Sequence, residues 1–409
     1  MSKDDLLKTK HFCLVPWTHL HIWPNSSVHL CCTSDSSKPL TYITETNTLE
    51  KAWNTKRLKE VRLDMLQDKA IPECTRCYEI EASGLRSMRV DHNLAFEKHI
   101  QIVEETRPDG FVEKVNMPYM DIRFSNICNL RCRTCGPELS SNWFKDAVAL
   151  QIPMQHKNPI LQAANDPQLL FSQIEKFLPS VEQIYFAGGE PLIMEEHYKI
   201  LHWLIQNNRT DVELRYNTNF TITSFQGKSV FELWNKFKKV EVGASLDTFG
   251  TRAEYMRKES DWAKIEASRM KMKEICPKVG FYVSVTLSVL SFSLMPEFHR
   301  DWVERGLVNI NDWNINPLTF PLHYRVQVAP ESYRNEISKK YADHIEWIKA
   351  QPNHNNMTLD RWNSALRFIQ GEQSKSELEN FKDMTKKLDT LRGERFQDTF
   401  PELSFLMNE

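Results

Sequence analysis

The sequence predicts an α/β protein built around a mostly parallel sheet. Between about residues 117 and 320, short β-rich runs alternate with helical patterns such as 194–208 and 229–239. Strands that alternate with helices are typical of βαβ units. Six such units form a partial or full α/β barrel or an open doubly wound sheet, and in each case ligands bind beyond the carboxyl ends of the strands. The predicted strands are 119–125, 183–189, 212–219, 240–247, 281–289 and 308–316.

The first hundred residues are predicted to form a small, cysteine-rich unit. Residues 49–69 have an amphipathic helical pattern that ends before Pro72, and the pair Cys74 and Cys77 opens a second short helix. The only other regular element expected there is a short strand-like run at 28–32. Such a unit buries little apolar surface, so we expect a metal site to help hold it together. The apolar face of the main helix comprises Leu58, Val61, Met65 and Leu66.

Residues 330–409 are predicted to be helical and highly charged, chiefly over 330–351 and 375–393. We expect these charge runs to mark solvated helix faces, and the apolar stretch 400–407 to dock back onto the body. The expected domains are therefore a cysteine-rich unit at 1–105, an α/β barrel at 115–325 and a C-terminal helical extension at 326–409.

Composition limits the class of protein. Of the 409 residues, 41% are hydrophobic and 26% are charged, which is ordinary for a soluble globular chain. A net charge of −2 gives no global field that would attract nucleic acid or an anionic membrane. The sequence has no secretory signal and no long apolar run, so we expect a cytoplasmic protein without membrane association. In that compartment, clustered cysteines bind metal or take part in chemistry more often than they form disulfides.

The nine cysteines are strongly clustered, since eight of them precede residue 136. Cys128, Cys132 and Cys135 follow the first predicted strand at the spacing Cys-x3-Cys-x2-Cys. Soft thiolates select zinc, copper(I) or iron–sulfur clusters. Structural zinc needs four ligands, so the alternative is a zinc site completed by a distant histidine or cysteine. Three thiolates on a [4Fe–4S] cluster instead leave one iron open to another ligand.

The cysteine triplet, together with the Gly-Gly-Glu-Pro stretch after the second predicted strand, resembles the radical S-adenosylmethionine (SAM) superfamily. The resemblance implies a partial (β/α)6 TIM-like barrel in which Cys128, Cys132 and Cys135 bind a [4Fe–4S] cluster. It also implies that the amino and carboxylate groups of SAM chelate the open iron. One electron from the cluster then cleaves SAM to methionine and a 5′-deoxyadenosyl radical, which abstracts hydrogen from a substrate. Thr134 stands where many members carry an aromatic residue near the adenine.

The resemblance assigns SAM contacts to residues at the ends of the later strands. Glycines at a strand end let a ligand approach the backbone, and an acidic group can accept hydrogen bonds from an amine; the alternative is an ordinary turn. Short polar groups can bond ribose hydroxyls or the methionyl carboxylate; the alternative is helix capping. Arg257 resembles a basic residue near the SAM carboxylate; the alternative is a solvated surface arginine. The predicted contacts are Gly188, Gly189, Glu190, Pro191, Asn219, Ser245, Asp247 and Arg257.

A second metal site is predicted in the cysteine-rich unit. Cys13, Cys31 or Cys32, Cys74 and Cys77 supply four thiolates, which fits either a structural zinc ribbon or a fully ligated iron–sulfur cluster. The arrangement resembles the SPASM or twitch domains that hold auxiliary clusters in many radical SAM enzymes, where they are usually C-terminal. Ser26 stands at the glycine position of the family's Gly-x4-Cys segment, which favours Cys31 over Cys32.

The resemblance implies an enzyme that contains a SAM-binding [4Fe–4S] cluster and a second, auxiliary [4Fe–4S] cluster, and that acts on a peptide or protein side chain. A small metabolite or a carbohydrate is the alternative substrate, and a non-catalytic zinc adaptor is the alternative from another class. The expected partners are the substrate and a reducing protein such as flavodoxin or ferredoxin; nucleic acid is not expected. No catalytic side chain is assigned. Isolated Cys276 is predicted to be a buried small hydrophobe, with a hydrogen-donating thiol as its alternative.

Overall fold

The computed structural model describes residues 3–82, 86–374 and 376–408. The strands are β1 (His21–Ile22), β2 (Ser27–His29), β3 (Thr41–Tyr42), β4 (Tyr119–Ile122), β5 (Arg131–Cys132), β6 (Gln183–Phe186), β7 (Glu213–Thr218), β8 (Ser224–Phe225), β9 (Lys228–Ser229), β10 (Val240–Ala244), β11 (Arg257–Lys258), β12 (Gly280–Leu287) and β13 (Trp313–Pro317).

The α-helices are α1 (Lys3–Lys8), α2 (Val15–Thr18), α3 (Leu49–Ala52), α4 (Lys56–Leu66), α5 (Thr75–Ala82), α6 (Met88–Phe96), α7 (Trp143–Ala149), α8 (Pro167–Glu175), α9 (Glu195–Gln206), α10 (Val230–Trp234), α11 (Gly250–Met256), α12 (Trp262–Ile275), α13 (Met295–Glu304), α14 (Glu331–Ala350), α15 (Asn356–Ile369), α16 (Ser376–Arg392) and α17 (Phe396–Thr399). Short 3-10 turns lie at Pro72–Cys74, Glu97–Glu105, Pro191–Ile193, Leu322–Tyr324, Val326–Val328 and Pro401–Met407. In the described part of the chain, no helix combines the length and apolar character needed to cross a membrane.

The predicted α/β class is confirmed, because every predicted strand has a counterpart and the pairs β4/β6, β10/β12 and β12/β13 are parallel. The last strand begins later than predicted. Its first residues instead form a turn, in which the Asp312 amide donates to the Asn309 carbonyl at 3.0 Å and the Asp312 carboxylate accepts from the Asn309 amide at 3.1 Å.

The chain forms two compact units. The first comprises Met1–Asn126, Ile160–Arg215 and Lys236–Lys239. Its strands run in the order β6-β4-β1-β2-β3, with β1 parallel to β4 and antiparallel to β2. The cysteine-rich segment therefore extends the same sheet as the first strand of the α/β region. The three domains predicted from the sequence remain a prediction.

The amphipathic helix predicted over 49–69 is divided in two. Thr55 caps α4 because its side chain accepts a hydrogen bond from the Leu58 amide at 3.3 Å, and this separates α4 from α3. Leu58, Val61 and Met65 are buried as the pattern predicts. Arg62 lies on the same buried side, where its guanidinium donates to the carbonyls of Pro16 and Trp53, each at 2.9 Å.

The second unit comprises Ile127–Pro159, Tyr216–Asn235 and Val240–Glu409. In it, β10, β12 and β13 form a parallel sheet, and the Ser245 amide after β10 donates to the Thr218 carbonyl at the end of β7 at 2.8 Å. Cys276 is buried just after α12, and its thiol donates to the Met272 carbonyl at 3.3 Å. Burial raises the pKa of this thiol to about 11, as expected for a small hydrophobe in a core.

The C-terminal extension is more deeply packed than its charge predicts. The helix α15 was not predicted; it begins where the Asn355 side chain accepts from the Thr358 amide at 2.8 Å. Arg334 on α14 is buried, and its Nη1 donates to the Ile369 carbonyl at 2.5 Å and the Gly371 carbonyl at 2.6 Å. The expectation that these charge runs mark only solvated faces is therefore wrong for the arginines that bind backbone carbonyls.

Two buried histidines join α13 to α14. His299 Nδ1 lies 2.8 Å from His344 Nε2, and both side chains are almost fully buried. Burial lowers the pKa of His299 to about 3, and burial together with the neighbouring His299 lowers the pKa of His344 to about 2. Both rings are therefore neutral in the folded protein at pH values where an unfolded histidine, with a pKa of about 6.5, becomes protonated.

Acidification should destabilise the second unit through this pair. Below about pH 6.5 the unfolded chain binds protons that the folded chain does not, so each histidine removes about 1.4 kcal/mol of stability per pH unit until its folded pKa is approached. His344→Gln should reduce the pH dependence of the unfolding free energy between pH 6 and 4 by about one proton. Urea unfolding at several pH values measures it. A slope equal to that of the wild type and of the His354→Gln control would contradict this account.

Candidate metal centres

The loop of three cysteines lies in the second unit and is shaped by backbone pairing. Cys132 belongs to β5, which pairs antiparallel with β11 so that Cys132 lies opposite Arg257. The Cys135 amide donates to the Cys132 carbonyl at 3.0 Å, which closes a turn between the second and third thiols. The Arg133 amide donates to the Met256 carbonyl at 2.8 Å, which ties the turn to α11.

Two of the three sulfurs accept hydrogen bonds from amide and guanidinium groups of the second unit. Cys128 Sγ accepts from the Leu130 amide at 3.5 Å and from Asn219 Nδ2 at 3.9 Å. Cys132 Sγ accepts from Arg257 Nη1 at 3.7 Å. Hydrogen bonds to thiolate sulfur stabilise its charge and tune the potential of iron–sulfur clusters. Such donors at Cys128 and Cys132 fit a thiolate-bound metal centre.

The electrostatic environment also fits metal binding. Burial raises the pKa of the Cys132 thiol, and Arg257 opposes this rise. Burial, followed by the neighbouring Cys132, raises the pKa of Cys135 to about 12. Buried thiols of this kind stay protonated at neutral pH until a metal displaces the protons. The loop therefore gathers soft ligands that become anionic when a metal cluster compensates their charge.

Arg257 is not a solvated surface residue, so that alternative is wrong. It forms two hydrogen bonds with Asp247, from Nε to Oδ2 at 2.9 Å and from Nη2 to Oδ1 at 3.0 Å. Burial acts against the charged form, but Asp247 and then Cys132 hold the pKa of Arg257 above its usual range. Asp247 Oδ1 also accepts from the Thr286 amide at 2.8 Å. The pair therefore places a fixed positive charge beside Cys132.

Asn219 and Ser245 are the other residues of this unit that the sequence predicts to contact SAM. Asn219 is buried; its Nδ2 also donates to Asn129 Oδ1 at 2.9 Å, and its Oδ1 accepts from the Thr221 hydroxyl at 2.6 Å. It therefore supports the cysteine loop directly. Ser245 is half-buried at the end of β10. The roles predicted for Asn219, Ser245 and Asp247 toward SAM remain predictions.

Removing the cation of the Arg257–Asp247 pair should destabilise the second unit. Arg257→Gln leaves a buried carboxylate without its charged partner, which costs about 3–5 kcal/mol. The double variant Arg257→Gln with Asp247→Asn removes both charges and should recover most of that loss. Urea unfolding of the cluster-free proteins measures both. Equal stabilities of the single and double variants would contradict the coupling.

The Gly-Gly-Glu-Pro stretch lies in the first unit, directly after β6. Gly188 has a φ of +125°, a conformation that residues with side chains rarely adopt. A Cβ at this position would lie 3.5 Å from the Arg123 side chain and 3.4 Å from the Ser125 carbonyl oxygen. The Gly189 amide donates to that same carbonyl at 3.3 Å. The turn is thus fitted against the segment that leads into the cysteine loop.

Glu190 and Pro191 begin the 3-10 turn that follows. Glu190 is buried, and its Oε1 accepts from the Leu192 amide at 3.0 Å. This bond accounts for an acidic residue at the start of a turn. Its predicted contact with the methionine amino group remains a prediction.

Four thiols gather in the first unit, close enough to influence one another electrostatically. Burial raises the pKa of Cys13, and Cys31 and Cys77 raise it further. Burial raises the pKa of Cys74, and Cys13, Cys31 and Cys77 add to the rise. The Thr33 hydroxyl lies 3.2 Å from Cys31 Sγ and 3.8 Å from Cys77 Sγ. Cys13, Cys31 and Cys77 are buried and Cys74 is half-buried. Thiols gathered in this way fit a centre in which a metal cluster supplies the compensating charge.

Cys32 faces a different set of residues. Burial raises the pKa of its thiol, and the nearby Asp121 carboxylate raises it further. Its Sγ lies 3.6 Å from the sulfur of Met88. The structure therefore brings Cys31, rather than Cys32, together with Cys13, Cys74 and Cys77.

This difference predicts unlike outcomes for two adjacent cysteines. Cys31→Ala should remove one ligand of the four-thiol centre and lower the iron content of the reconstituted protein by about four atoms per chain, the content of one [4Fe–4S] cluster. Cys32→Ala should leave the iron content unchanged and is the matched control. Iron and sulfide determination measures both. Loss of iron in Cys32→Ala with retention in Cys31→Ala would reverse the assignment.

A buried polar group that the sequence did not predict lies beside Cys32. His19, His21 and Asp121 bring donor atoms within 4.8 Å of one another. Arg123 donates to both carboxylate oxygens of Asp121, at 2.7 and 3.1 Å, and His21 Nδ1 lies 3.3 Å from Oδ2. Burial opposes ionisation of Asp121, but Arg123 and then His21 hold its pKa well below the usual range.

This group is charge-balanced without a metal. Asp121 is fully buried, and Arg123 already neutralises it. A divalent cation would add two uncompensated charges in a buried position, which is strongly unfavourable. The group is therefore a hydrogen-bonding network that fixes β1 to β4, where His21 lies opposite Asp121 in the register. The sequence signal that could have indicated it is the spacing of two residues within the pairs His19/His21 and Asp121/Arg123, which lie in or directly beside β1 and β4.

Comparisons with known proteins decide the identity of the cysteine-rich segment. Residues 13–78 match the SPASM family, described as an iron–sulfur cluster-binding domain. The SPASM-like unit predicted from the sequence is confirmed. This SPASM segment contains the four-thiol centre and Cys32, and it is N-terminal to the α/β region.

Curated relatives match a larger part of the chain. GTP 3′,8-cyclase of Campylobacter lari is 25% identical over 135 residues, which are 32% of this chain and 34% of that protein. GTP 3′,8-cyclase of Aliarcobacter butzleri is 25% identical over 198 residues, which are 45% of this chain and 53% of that protein. The chain thus spans between a third and about half of the length of these relatives.

Solved structures of anSMEcpe are also similar. The structure with bound AdoMet and the Cp18Cys peptide is 17% identical, with a TM-score of 0.37, over 55% of this chain and 60% of that one. The structure with bound AdoMet alone is 17% identical, with a TM-score of 0.37, over 67% of this chain and 66% of that one.

Proposed function

We propose that this chain is a radical SAM enzyme with an auxiliary iron–sulfur cluster. Cys128, Cys132 and Cys135 hold a [4Fe–4S] cluster whose open iron binds SAM, and the SPASM segment holds a second cluster through Cys13, Cys31, Cys74 and Cys77. When bound together with SAM, the first cluster would supply the radical chemistry that removes a hydrogen atom from the substrate. The protein supplies ligands, orientation and electrostatics for this chemistry.

The observation that carries the proposal is the set of three closely spaced thiols, two of which accept hydrogen bonds: Cys128 from Asn219 and Cys132 from Arg257. Thiolate ligands favour iron–sulfur clusters, and donors to sulfur are a recognised means of tuning them. The match of residues 13–78 to an iron–sulfur cluster-binding domain supports the same class of chemistry.

Arg257 is the side chain best suited to orient SAM in the second unit. Asp247 holds its guanidinium rigidly, and Nη1 points to Cys132 Sγ. A guanidinium fixed in this way attracts a carboxylate without losing conformational freedom on binding. We assign it to the SAM carboxylate, and the Gly188–Pro191 turn to the methionine amino group.

A peptide or protein side chain is the proposed substrate. The support is the SPASM segment, because auxiliary-cluster enzymes of the resembled superfamily often modify peptides. The second candidate is a small metabolite, either a nucleotide or a carbohydrate, and the names of both curated relatives, GTP 3′,8-cyclase, favour the nucleotide. A cytoplasmic reducing protein of the flavodoxin or ferredoxin type would supply the electron.

The test is production of 5′-deoxyadenosine under anaerobic conditions. The reconstituted protein is reduced with dithionite and given SAM, and 5′-deoxyadenosine is measured by mass spectrometry. The parent should form it, and the variant with Cys128→Ala, Cys132→Ala and Cys135→Ala should form none because its cluster has no ligands. The variant Cys276→Ala, which changes a buried thiol outside both centres, should retain the activity.

The same assay identifies the class of substrate when candidate substrates are added to it. Formation of 5′-deoxyadenosine stimulated by a peptide library, with a mass change in a peptide, supports the first candidate; stimulation by GTP alone supports the second. A protein that is purified with zinc, remains colourless and takes up no iron would overturn the enzyme in favour of a zinc adaptor.

A further inference from the structure

The strongest unassigned feature is a set of buried ion pairs between the cysteine loop and the C-terminal segment 376–396. We propose that this segment is a clamp that holds the Cys128–Cys135 loop in the conformation that receives its cluster. The inference rests on the proposed function of that loop, and it gives the helical extension a role in that function. The contacts join residues about 250 positions apart within the second unit.

Arg133 is the first attachment point, and it lies between the second and third cysteines. Its Nη2 donates to Asp389 Oδ1 at 2.6 Å and to Glu394 Oε2 at 2.8 Å. Its guanidinium lies 3.7 Å from the ring centroid of Tyr255, whose hydroxyl donates to the same Asp389 oxygen at 2.7 Å. Only 2% of Arg133 is exposed, so its charge depends on these partners.

Asp146, on the helix that follows the loop, is the second attachment point. Its Oδ2 accepts from Arg392 Nη2 at 2.6 Å and Nε at 2.9 Å, and its Oδ1 accepts from Arg131 Nη1 at 2.7 Å. Arg131 directly precedes Cys132, so one carboxylate connects the C-terminal helix α16 to the cysteine loop. Together, Arg131 and Arg133 fix the residues on both sides of Cys132.

Apolar packing completes the contact. Leu388 of α16 packs with Trp143 and Ala147 in a buried cluster, against which Cys135 also packs. The Trp143 indole donates to the Cys132 carbonyl at 2.7 Å, so the orientation of this ring and that of the loop are linked. The second and third thiols therefore depend on side chains that α16 holds in place.

Directional charged bonds explain why this is a clamp rather than ordinary packing. A loop with three soft ligands must keep their spacing before the cluster is present, and forked guanidinium–carboxylate bonds fix both distance and angle. Four cations, Arg131, Arg133, Arg392 and Lys258, meet four carboxylates, Asp146, Asp389, Glu394 and Glu259, so the contact is charge-balanced. The loop is thereby preorganised with no net charge added beside the thiols.

The experiment compares two double variants of the full chain with the same change in charge. Asp389→Asn with Glu394→Gln removes both partners of Arg133 while keeping their shapes. Asp383→Asn with Glu379→Gln makes the same change on the exposed face of α16, where these acids form surface pairs with lysines. Hydrogen exchange of peptides covering 128–142 is measured in the reconstituted proteins, together with the rate of iron loss to a chelator.

The clamp predicts that the first double variant exchanges these amides at least tenfold faster. It should also lose about half of its iron at least tenfold faster, because only one of two clusters depends on the loop. Peptides covering 13–78 and the control variant should match the wild type. Exchange and iron loss equal to the wild type in both variants would overturn the clamp.

A single variant and the iron content of the wild type complete the experiment. If the first double variant does not fold, Glu394→Gln alone removes one of the two acceptors and should raise both rates about threefold; unchanged rates would overturn the inference. The iron content of the wild type is read first. A wild type that binds no cluster through Cys128, Cys132 and Cys135 would contradict the proposed function itself. A cluster-loaded wild type whose variants behave like it would contradict only the clamp.

Discussion

The cysteine loop depends on buried ion pairs that surround it. Arg257, paired with Asp247, lies opposite Cys132 in the β5/β11 register, and Arg133, paired with Asp389 and Glu394, directly follows Cys132 in the chain. Each pair is stable only while its partners are in place, because an isolated buried charge is far more costly than a paired one. The loop also packs against Trp143 and Leu388, and in the proposed clamp the distant charged partners hold its conformation. The geometry of the centre is therefore a property of the whole second unit.

The SPASM segment is small, and a small unit buries little apolar surface of its own. Four thiols, three of them buried, give it a centre that a metal cluster can complete, and β1 pairs the segment with β4. The network of His21, Asp121 and Arg123 joins the same two strands with balanced charge. Backbone pairing thus joins the SPASM segment to the sheet of the first unit.

The positions of the strands along the chain were predictable because alternation of β-rich and helical runs is a local signal. The cysteine groups were predictable for the same reason, since their spacing is visible in the sequence. The partners of Arg131 and Arg133 were not, because Asp146 and the acids of the C-terminal segment carry no local mark of their pairing. The helical extension illustrates the limit. Its charge pattern predicts solvated faces, yet Arg334 and Arg392 are buried because carbonyls and a carboxylate elsewhere in the fold accept their hydrogen bonds.

The central claim is that the Cys128–Cys135 loop holds a cluster with an iron open to SAM. The most direct measurement is electron paramagnetic resonance of the reconstituted, reduced protein with and without SAM. The account predicts signals from two clusters, one of which changes its g values when SAM is added and is missing when all three cysteines of the loop are replaced by alanine. A protein loaded with both clusters whose spectrum does not respond to SAM would contradict it.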